Sequence, residues 1–453
     1  MNRKYSVLMI TTISTLMAAI DSTIVYLAMP AIGKAFNSGI SDLSLIVIAY
    51  LIAAVIMLIP SIEIIKKIGN KTFYIIGFII FTASSLFIAL SFNITMLVSL
   101  RFLEGIGAGI MTSSDIPIIL SVFKSHEKGK AIGLNSIAWS VGTLLGPVLG
   151  GFLVSVDWRY IFLINVPIGI IAIILGKIII PPGHSHKARI KFLSAISMAI
   201  FMIPLAAGIA MLNIYYLIAS AAIFPFFMYA QYRDPLIERV LLKNIRFSLI
   251  TLASFLESFI FFSVLFALSL YFEVGLGFNS IDAGLILFTY PAAAMISSPI
   301  GGMLYDSSRN PEALMIAGVL LECIPVLFIA MYFKFIPELL FLAGFGGSLF
   351  WSPSTTMVTD VMGEHYRVQA NNSLFILRDM GIIIGISILP LFIKYFSGIN
   401  VTLGSVFEAS EVINITAGIS AYLIFTALLS MSSIIFIILF GRKNSNIKKS
   451  AIS

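Results

Sequence analysis

The sequence predicts an all-α polytopic membrane protein, and two observations carry that prediction. Hydrophobic residues make up 59% of the 453 residues and charged residues only 11%, whereas soluble proteins are about half apolar and about one-quarter charged. Apolar runs of about 20 residues recur from end to end, and each is long enough to cross about 30 Å of hydrocarbon as a helix. The runs do not alternate polar and apolar residues, which excludes an outer-membrane barrel.

The apolar runs predict fourteen membrane-spanning helices. In chain order they are Ser6–Met29, Leu43–Ile65, Phe73–Ser91, Met96–Ile119, Ala131–Val154, Tyr160–Ile180, Phe192–Leu212, Tyr215–Tyr229, Phe247–Phe272, Ala283–Tyr305, Ala313–Phe333, Leu339–Met357, Val368–Ile393 and Ile415–Phe440. With a cytoplasmic N-terminus, roughly 22 of the 28 Lys and Arg residues fall in inner loops and tails, as the positive-inside rule requires. The distribution therefore favours an even number of helices with both termini cytoplasmic.

A glycine pattern repeats along the chain at a constant spacing. Leu103–Gly109, in the fourth predicted helix, matches Leu342–Ser348, in the twelfth, 239 residues later. The step of eight helices rather than six indicates a duplicated six-helix unit with two inserted helices. We therefore expect six-helix bundles at residues 1–185 and 233–453, separated by two linker helices at 186–232.

The fifth predicted helix carries the pattern GxxxGPxxGG, formed by Gly142, Gly146, Pro147, Gly150 and Gly151. Glycines four residues apart leave a flat stripe on a helix, which allows another backbone to approach closely. Generic small-residue packing is the simpler explanation. The full pattern, however, resembles the signature of proton-coupled exporters in the major facilitator superfamily.

Four further stretches extend that resemblance over most of the chain. They are Ile20–Pro30, Arg101–Gly105, Trp158–Gly169 and Pro235–Phe247. The chain is similar to the fourteen-helix drug:H+ antiporter subfamily of the multidrug efflux type. The resemblance implies a major facilitator fold in which the first, fourth, ninth and twelfth helices line a central cavity. It also implies a sliding surface between the halves, to which the glycine stripe of the fifth helix would belong.

The family's cytoplasmic gating loop is altered in the first half of this chain. Gly69 is retained between the second and third predicted helices, but Ile62 and Lys66 stand where the family pattern has Gly and Asp. The second half keeps a closer version of the pattern, with Gly302 and Asp306 between the tenth and eleventh helices. The resemblance therefore assigns the gating role to Gly69, Gly302 and Asp306.

Ionisable side chains inside membrane spans are costly and often functional. The candidates for proton coupling or substrate binding are Asp21, Arg101, Glu104, Asp115, Glu257 and Asp379. Asp21 has no cation nearby in the sequence, which favours a functional role. Arg101 and Glu104 share a helix face and could simply neutralise each other.

A functional role is less strongly indicated for three intramembrane charges. The side chains of Arg378 and Asp379 diverge by about 100° on a helix, so each is expected to need another partner. Glu322 lies in a helix that should be peripheral, where a structural or lipid-facing role is the simpler expectation.

The sequence lacks GxxxxGK[ST], so an ion gradient is the expected energy source, with no cofactor and no enzymatic activity. His184 and His186 lack a third ligand nearby, and we expect no metal site.

We expect a monomer in the plasma membrane. Its expected partners are protons, a small amphipathic molecule as substrate and the lipid bilayer, without nucleic acid. The first interpretation is proton-coupled export of amphipathic or cationic compounds. A metabolite symporter on the same fold is the main alternative, and a non-transporting receptor or scaffold is a third.

Overall fold

The computed structural model describes residues 3–124, 127–182, 192–308, 310–398, 401 and 409–450. His184, His186 and the expected boundary at 185 lie outside the described residues. The first nine helices are α1 (Arg3–Phe36), α2 (Ile40–Ile68), α3 (Asn70–Ala89), α4 (Ile94–Val122), α5 (Lys128–Val156), α6 (Tyr160–Leu163), α7 (Asn165–Ile179), α8 (Phe192–Ala210) and α9 (Ile214–Arg233). The remaining elements are α10 (Arg239–Lys243), α11 (Ile245–Leu270), a π-helical segment (Tyr271–Gly275), α12 (Ser280–Leu287), α13 (Thr289–Ser307), α14 (Pro311–Tyr332), α15 (Ile336–Ser397), α16 (Ala409–Met431) and α17 (Ser433–Ser450).

Thirteen helical segments of the described chain are long and apolar enough to cross a membrane. They include every predicted span except Leu339–Met357, which is helical but lies outside the thirteen. That stretch is rich in glycine, serine and threonine, which lower its hydropathy. Most helices extend beyond their predicted ends, because a helix satisfies its own backbone hydrogen bonds where the sequence turns polar.

Three predicted spans are broken and two are joined. The sixth is divided into α6 and α7, the tenth into α12 and α13, and the fourteenth into α16 and α17. The predicted twelfth and thirteenth spans run together in α15, where Gly363 has φ 73° and ψ 176°. Only glycine adopts that conformation readily, so Gly363 separates two helices that follow each other without a loop.

Asparagine side chains begin several of the helices. The side-chain oxygen of Asn93 accepts a hydrogen bond from the Met96 amide at 2.8 Å at the start of α4. Asn213, Asn244 and Asn310 act in the same way at α9, α11 and α14. Each satisfies a backbone N–H that the first helical turn leaves unpaired.

The chain divides into two compact units. The first comprises the described residues of Met1–Asp234, Gly277–Leu285 and Asn400–Val406. Within it, α1 packs against α5, α2 and α3 pack against α4, and α3 packs against α7. The inserted helices α8 and α9 pack against each other, and α8 also contacts α2.

The second unit comprises the described residues of Pro235–Leu276, Ile286–Ile399 and Phe407–Ser453. Its helices α11, α13 and α14 all pack against α15, which in turn contacts α16. The described residues therefore form two helical units of the predicted all-α fold, and the inserted helices α8 and α9 belong to the first.

Glycine contacts repeat in the two bundles at the same 239-residue spacing that is found in the sequence. A Cβ added at Gly142 would lie 2.8 Å from the carbonyl oxygen of Leu16, and one at Gly381 would lie 2.6 Å from that of Phe255. Leu16 and Phe255 are also 239 residues apart. The duplicated sequence therefore packs in a duplicated way.

Candidate functional site

The helices around Arg101 approach one another closely because α4 carries three glycines, Gly105, Gly107 and Gly109, at alternate positions. A Cβ at Gly105 would collide with the backbone carbonyl of Tyr50 on α2. A Cβ at Gly107 would lie 2.6 Å from the backbone nitrogen of Phe81 on α3. The glycine-rich stretch therefore serves helix packing, and it brings polar side chains of α2 and α3 to the charged face of α4.

Arg101 is fully buried and lies between two carboxylates. Its Nη1 donates to Asp21 Oδ2 at 2.7 Å and to Glu104 Oε2 at 2.6 Å, and all three side chains have no solvent exposure. The expected pairing of Arg101 with Glu104 is present. The expectation that Asp21 lacks a cation is wrong, because α4 places Arg101 beside α1 although the two residues are 80 positions apart.

Two neutral side chains complete a closed hydrogen-bonded ring. Ser85 on α3 donates to Glu104 Oε1. Asn165, the first residue of α7, donates to Asp21 Oδ1 at 3.2 Å and lies 3.3 Å from Ser85 Oγ. We call Asp21, Ser85, Arg101, Glu104 and Asn165 the carboxylate ring. All four carboxylate oxygens in it have a hydrogen-bond partner.

Aromatic rings enclose the remaining part of the guanidinium. Its Cζ lies 4.2 Å from the ring centre of Tyr50 and 5.7 Å from that of Phe162. The Nε and Nη2 atoms of Arg101 have no hydrogen-bond partner among the described residues. Cation–π contacts are favourable at a buried site. The carboxylate ring therefore holds two carboxyl groups against a single fixed positive charge.

Asp115 lies elsewhere on α4, in a neutral environment. It is 1% exposed, and it accepts hydrogen bonds from Ser14 Oγ at 2.5 Å and Thr15 Oγ1 at 2.8 Å. Asn135 of α5 lies 3.1 Å from the same threonine hydroxyl. The sequence had grouped Asp115 with Asp21 and Glu104, but the structure gives it separate partners.

The charged candidates of the second unit form two groups. Arg378 Nη2 and Asp379 Oδ1 lie 2.8 Å apart, so the expectation that each needs another partner is wrong. The long arginine side chain reaches its neighbour although the two Cβ atoms point in different directions.

The other group contains Glu257 on α11 and Glu322 on α14. Both are completely buried, and Tyr290 of α13 donates to Glu322 Oε1 at 2.6 Å. Glu322 is not lipid-facing, because its carboxylate lies against Gly347 of α15, where an added Cβ would be 3.0 Å from Glu322 Oε2.

The glycine stripe of α5 lies against α1 in the first unit. A Cβ at Gly142 would lie 2.6 Å from Ala19 Cβ, and one at Gly146 would collide with Thr23. Gly150 faces the carbonyl oxygen of Ile24. These three glycines therefore hold α5 close to the helix that carries Asp21.

The other two members of the α5 pattern lie near α12. A Cβ at Gly151 would be 2.5 Å from the carbonyl oxygen of Ser280, which belongs to the same unit. Pro147 lies inside α5, and a Cβ at Gly284 would be 2.5 Å from its carbonyl oxygen. This end of α5 therefore packs against α12, whereas Gly142, Gly146 and Gly150 pack against α1.

The expected gating residues lie at helix ends. Gly69 is the single residue between α2 and α3 and has φ 84°, a conformation that favours glycine. Asp306 is exposed near the end of α13. Gly302 lies against α15, where a Cβ would be 3.5 Å from Ser352 Oγ. Next to Asp306, the Tyr305 hydroxyl donates to Asp360 Oδ2 at 2.9 Å, which links α13 to α15.

Sequence reasoning missed several polar partners. Ser85, Asn165 and Tyr290 are uncharged polar residues in largely apolar helices, and nothing in the local sequence distinguishes them from other buried polar residues. Asn165 stood within a stretch already singled out for its resemblance, which was the only available signal.

Membrane-length helices arranged as two repeated bundles, with charged side chains buried inside, have the plan of a secondary transporter. The model of the Major Facilitator Superfamily matches residues 11–386 and 247–451. The chain therefore belongs to the Major Facilitator Superfamily.

The curated relatives include transporters of more than one kind. The chain is 29% identical to the riboflavin transporter RibZ of Clostridioides difficile strain 630, over 68% of this chain and 69% of that protein. It is 26% identical to MdtD of Escherichia coli O6:K15:H31, over 86% of each chain. The name of MdtD assigns it only provisionally to multidrug resistance.

Solved structures share the fold. A bacterial homologue of the human lysosomal transporter Spinster, inward-facing and unoccupied, has a TM-score of 0.74 at 15% identity, covering 97% of both chains. A D-xylose–proton symporter has a TM-score of 0.66 at 15% identity, covering 94% of this chain and 97% of that one. At this identity the likeness concerns the fold alone.

Proposed function

We propose that this major facilitator transporter is a proton-coupled antiporter that exports amphipathic or cationic compounds. The observation that carries the proposal is the carboxylate ring, in which Asp21 and Glu104 share the one guanidinium of Arg101. If both carboxylates are ionised, the ring holds one surplus negative charge in a site closed to solvent. Such a charge is costly in a medium of low dielectric constant.

Two kinds of positive charge can remove the surplus. A proton bound to Asp21 or Glu104 neutralises it, and so does a cationic substrate that enters when the site opens. The two compete because either one is sufficient. Competition of this kind couples substrate binding to proton release, which is the requirement for exchange rather than cotransport.

The supporting evidence includes the GxxxGPxxGG pattern and the relative that is named provisionally for multidrug resistance. We assign the gating movement to the ends of α2 and α13, at Gly69, Gly302 and Asp306. The proposal also places the protein in the plasma membrane as a monomer with both termini cytoplasmic. We keep residues 1–185 and 233–453 as the transport halves and 186–232 as linker helices.

A metabolite symporter is the second candidate. The riboflavin transporter among the relatives favours it, because riboflavin is an uncharged aromatic molecule whose binding would leave the surplus charge in place. In that case the proton and the substrate would bind together rather than compete.

Transport by purified protein in liposomes tests both candidates. The liposomes carry an imposed pH gradient, and two probes are used in parallel: a fluorescent lipophilic cation and riboflavin. We expect wild-type protein to move the cation in the direction opposite to the flow of protons. Asp21→Asn should show no such movement. Asp157→Asn is the matched control, because Asp157 pairs with Arg159 at an exposed site.

Several outcomes would contradict the proposal. Riboflavin accumulation in the same direction as the protons would establish the symporter instead. Gradient-driven cation transport by Asp21→Asn at the wild-type rate would remove the carboxylate ring from the coupling mechanism.

A further inference from the structure

The second unit holds a pair of buried carboxyl groups that the carboxylate ring does not explain. Glu257 and Glu322 have no solvent exposure. They interact electrostatically with each other, and Tyr290 donates to one oxygen of Glu322. Three carboxylate oxygens, Oε1 and Oε2 of Glu257 and Oε2 of Glu322, have no hydrogen-bond partner among the described residues.

Several helices of the second unit contribute polar groups around the pair. From α15 come the Trp351 indole and Arg378, which attracts Glu257 but is already bound to Asp379. From α14 comes the Cys323 thiol, which lies within electrostatic range of both carboxyl groups. Ser254, one turn before Glu257 on α11, is fully buried, and its hydroxyl also has no partner among the described residues. Apart from Arg378, which is paired with Asp379, none of these groups carries a positive charge that could neutralise two ionised carboxylates.

The location of the pair corresponds to that of the carboxylate ring. In the first unit Gly105 of α4 abuts the carbonyl of Tyr50, whose ring covers Arg101. In the second unit Gly344 of α15 abuts the carbonyl of Tyr290, which binds Glu322. The duplicated fold thus places a tyrosine beside a buried carboxyl group in each half. The first half supplies a fixed cation at that place, and the second half supplies another carboxyl group.

We propose that Glu257 and Glu322 form a second proton-binding site, in which one proton is shared between the two carboxyl groups. A protonated carboxyl group donates to the ionised one, so a single proton pairs two of the three unpaired oxygens. Two buried carboxylates cannot both remain ionised at short range, as in other carboxyl pairs that share a proton. The role of this proton in transport rests on the proposed function, but its binding does not.

A proton fits this site better than a metal cation. Calcium and magnesium take six or more oxygen ligands, whereas the pair offers three free carboxylate oxygens. The backbone carbonyls of the surrounding helices are committed to helical hydrogen bonds.

Infrared difference spectroscopy of the purified protein during a pH titration tests the proposal without any substrate. We expect a carboxylic-acid C=O band that titrates in the wild type and is lost in both Glu257→Gln and Glu322→Gln. Loss in both variants is the signature of a shared proton. Glu338→Gln, at an exposed site on α15, should leave the band unchanged. So should Asp21→Asn, which separates this proposal from the proposed function.

A milder variant covers the case in which a glutamine variant fails to fold. Tyr290→Phe removes the hydrogen bond to Glu322 without changing charge, so the band should shift in frequency and remain. A band unchanged by Tyr290→Phe, or kept by either glutamine variant, would overturn the proposal. Replacement of the band on addition of Na+ at fixed pH would show a metal cation site instead.

Discussion

Removal of the guanidinium from the carboxylate ring should be the most destabilising single change at that site. Arg101→Gln leaves Asp21 and Glu104 buried without a positive charge, and the breaking of a buried ion pair by loss of one partner costs about 3–5 kcal/mol. Asp21→Asn keeps Arg101 paired with Glu104 and leaves a neutral ring. Its cost should be about 1–3 kcal/mol, the range for a disturbed buried hydrogen bond.

The double variant Asp21→Asn/Arg101→Gln distinguishes charge compensation from simple packing. It restores the single surplus charge of the wild type, so it should be more stable than Arg101→Gln by at least about 1 kcal/mol. That difference exceeds the scatter of about 0.3–0.5 kcal/mol found for independent sites. If packing alone mattered, the second substitution would add to the first.

The assay is unfolding by SDS in mixed micelles, followed by far-UV circular dichroism. Asp157→Asn, Arg159→Gln and their double variant provide the control, since that pair is about two-fifths exposed and exposed pairs contribute about 0–1 kcal/mol. Arg101→Gln with wild-type stability, or a double variant less stable than Arg101→Gln, would refute the reasoning.

Three further predictions concern other parts of the chain. Gly146→Ala should destabilise the protein by about 1–3 kcal/mol because its Cβ meets Thr23, whereas Gly133→Ala on the same helix, with open space around it, should not; equal stability in the same SDS titration would contradict this. Asp115→Asn should fold normally because its amide oxygen can accept from one of the two hydroxyls and its NH2 group can donate to the other, whereas Asp115→Leu should unfold at lower SDS; an Asn variant as unstable as the Leu variant would show that charge at Asp115 is required. Cys323, which is completely buried, should react with a maleimide only after unfolding, and rapid labelling of the folded protein would show that α14 opens.

The intramembrane charges show where prediction from the sequence reached its limit. The partner of Glu104 could be predicted because Arg101 is three residues away on one helix, and that spacing fixes a shared face. The partner of Asp21 could not, because the contact depends on how α1 packs against α4. The contact between Arg378 and Asp379 was not predicted for another reason. The helix sets the direction of each Cα–Cβ bond, but a long arginine side chain can still reach its neighbour.

The sequence by itself determined the membrane class, nearly all the helices and the duplication. These follow from hydrophobic runs and glycine spacing, which depend on length and local chemistry alone. Only the tertiary structure decided that Asp21 and Glu104 share Arg101, that the α5 glycines face α1, and that Glu322 is buried beside Glu257. Each of these depends on which helix faces lie together, and apolar helices in a membrane carry little sequence signal for that choice. Their association is governed by close packing of small residues and by a few polar contacts, whose partners are distant in the chain.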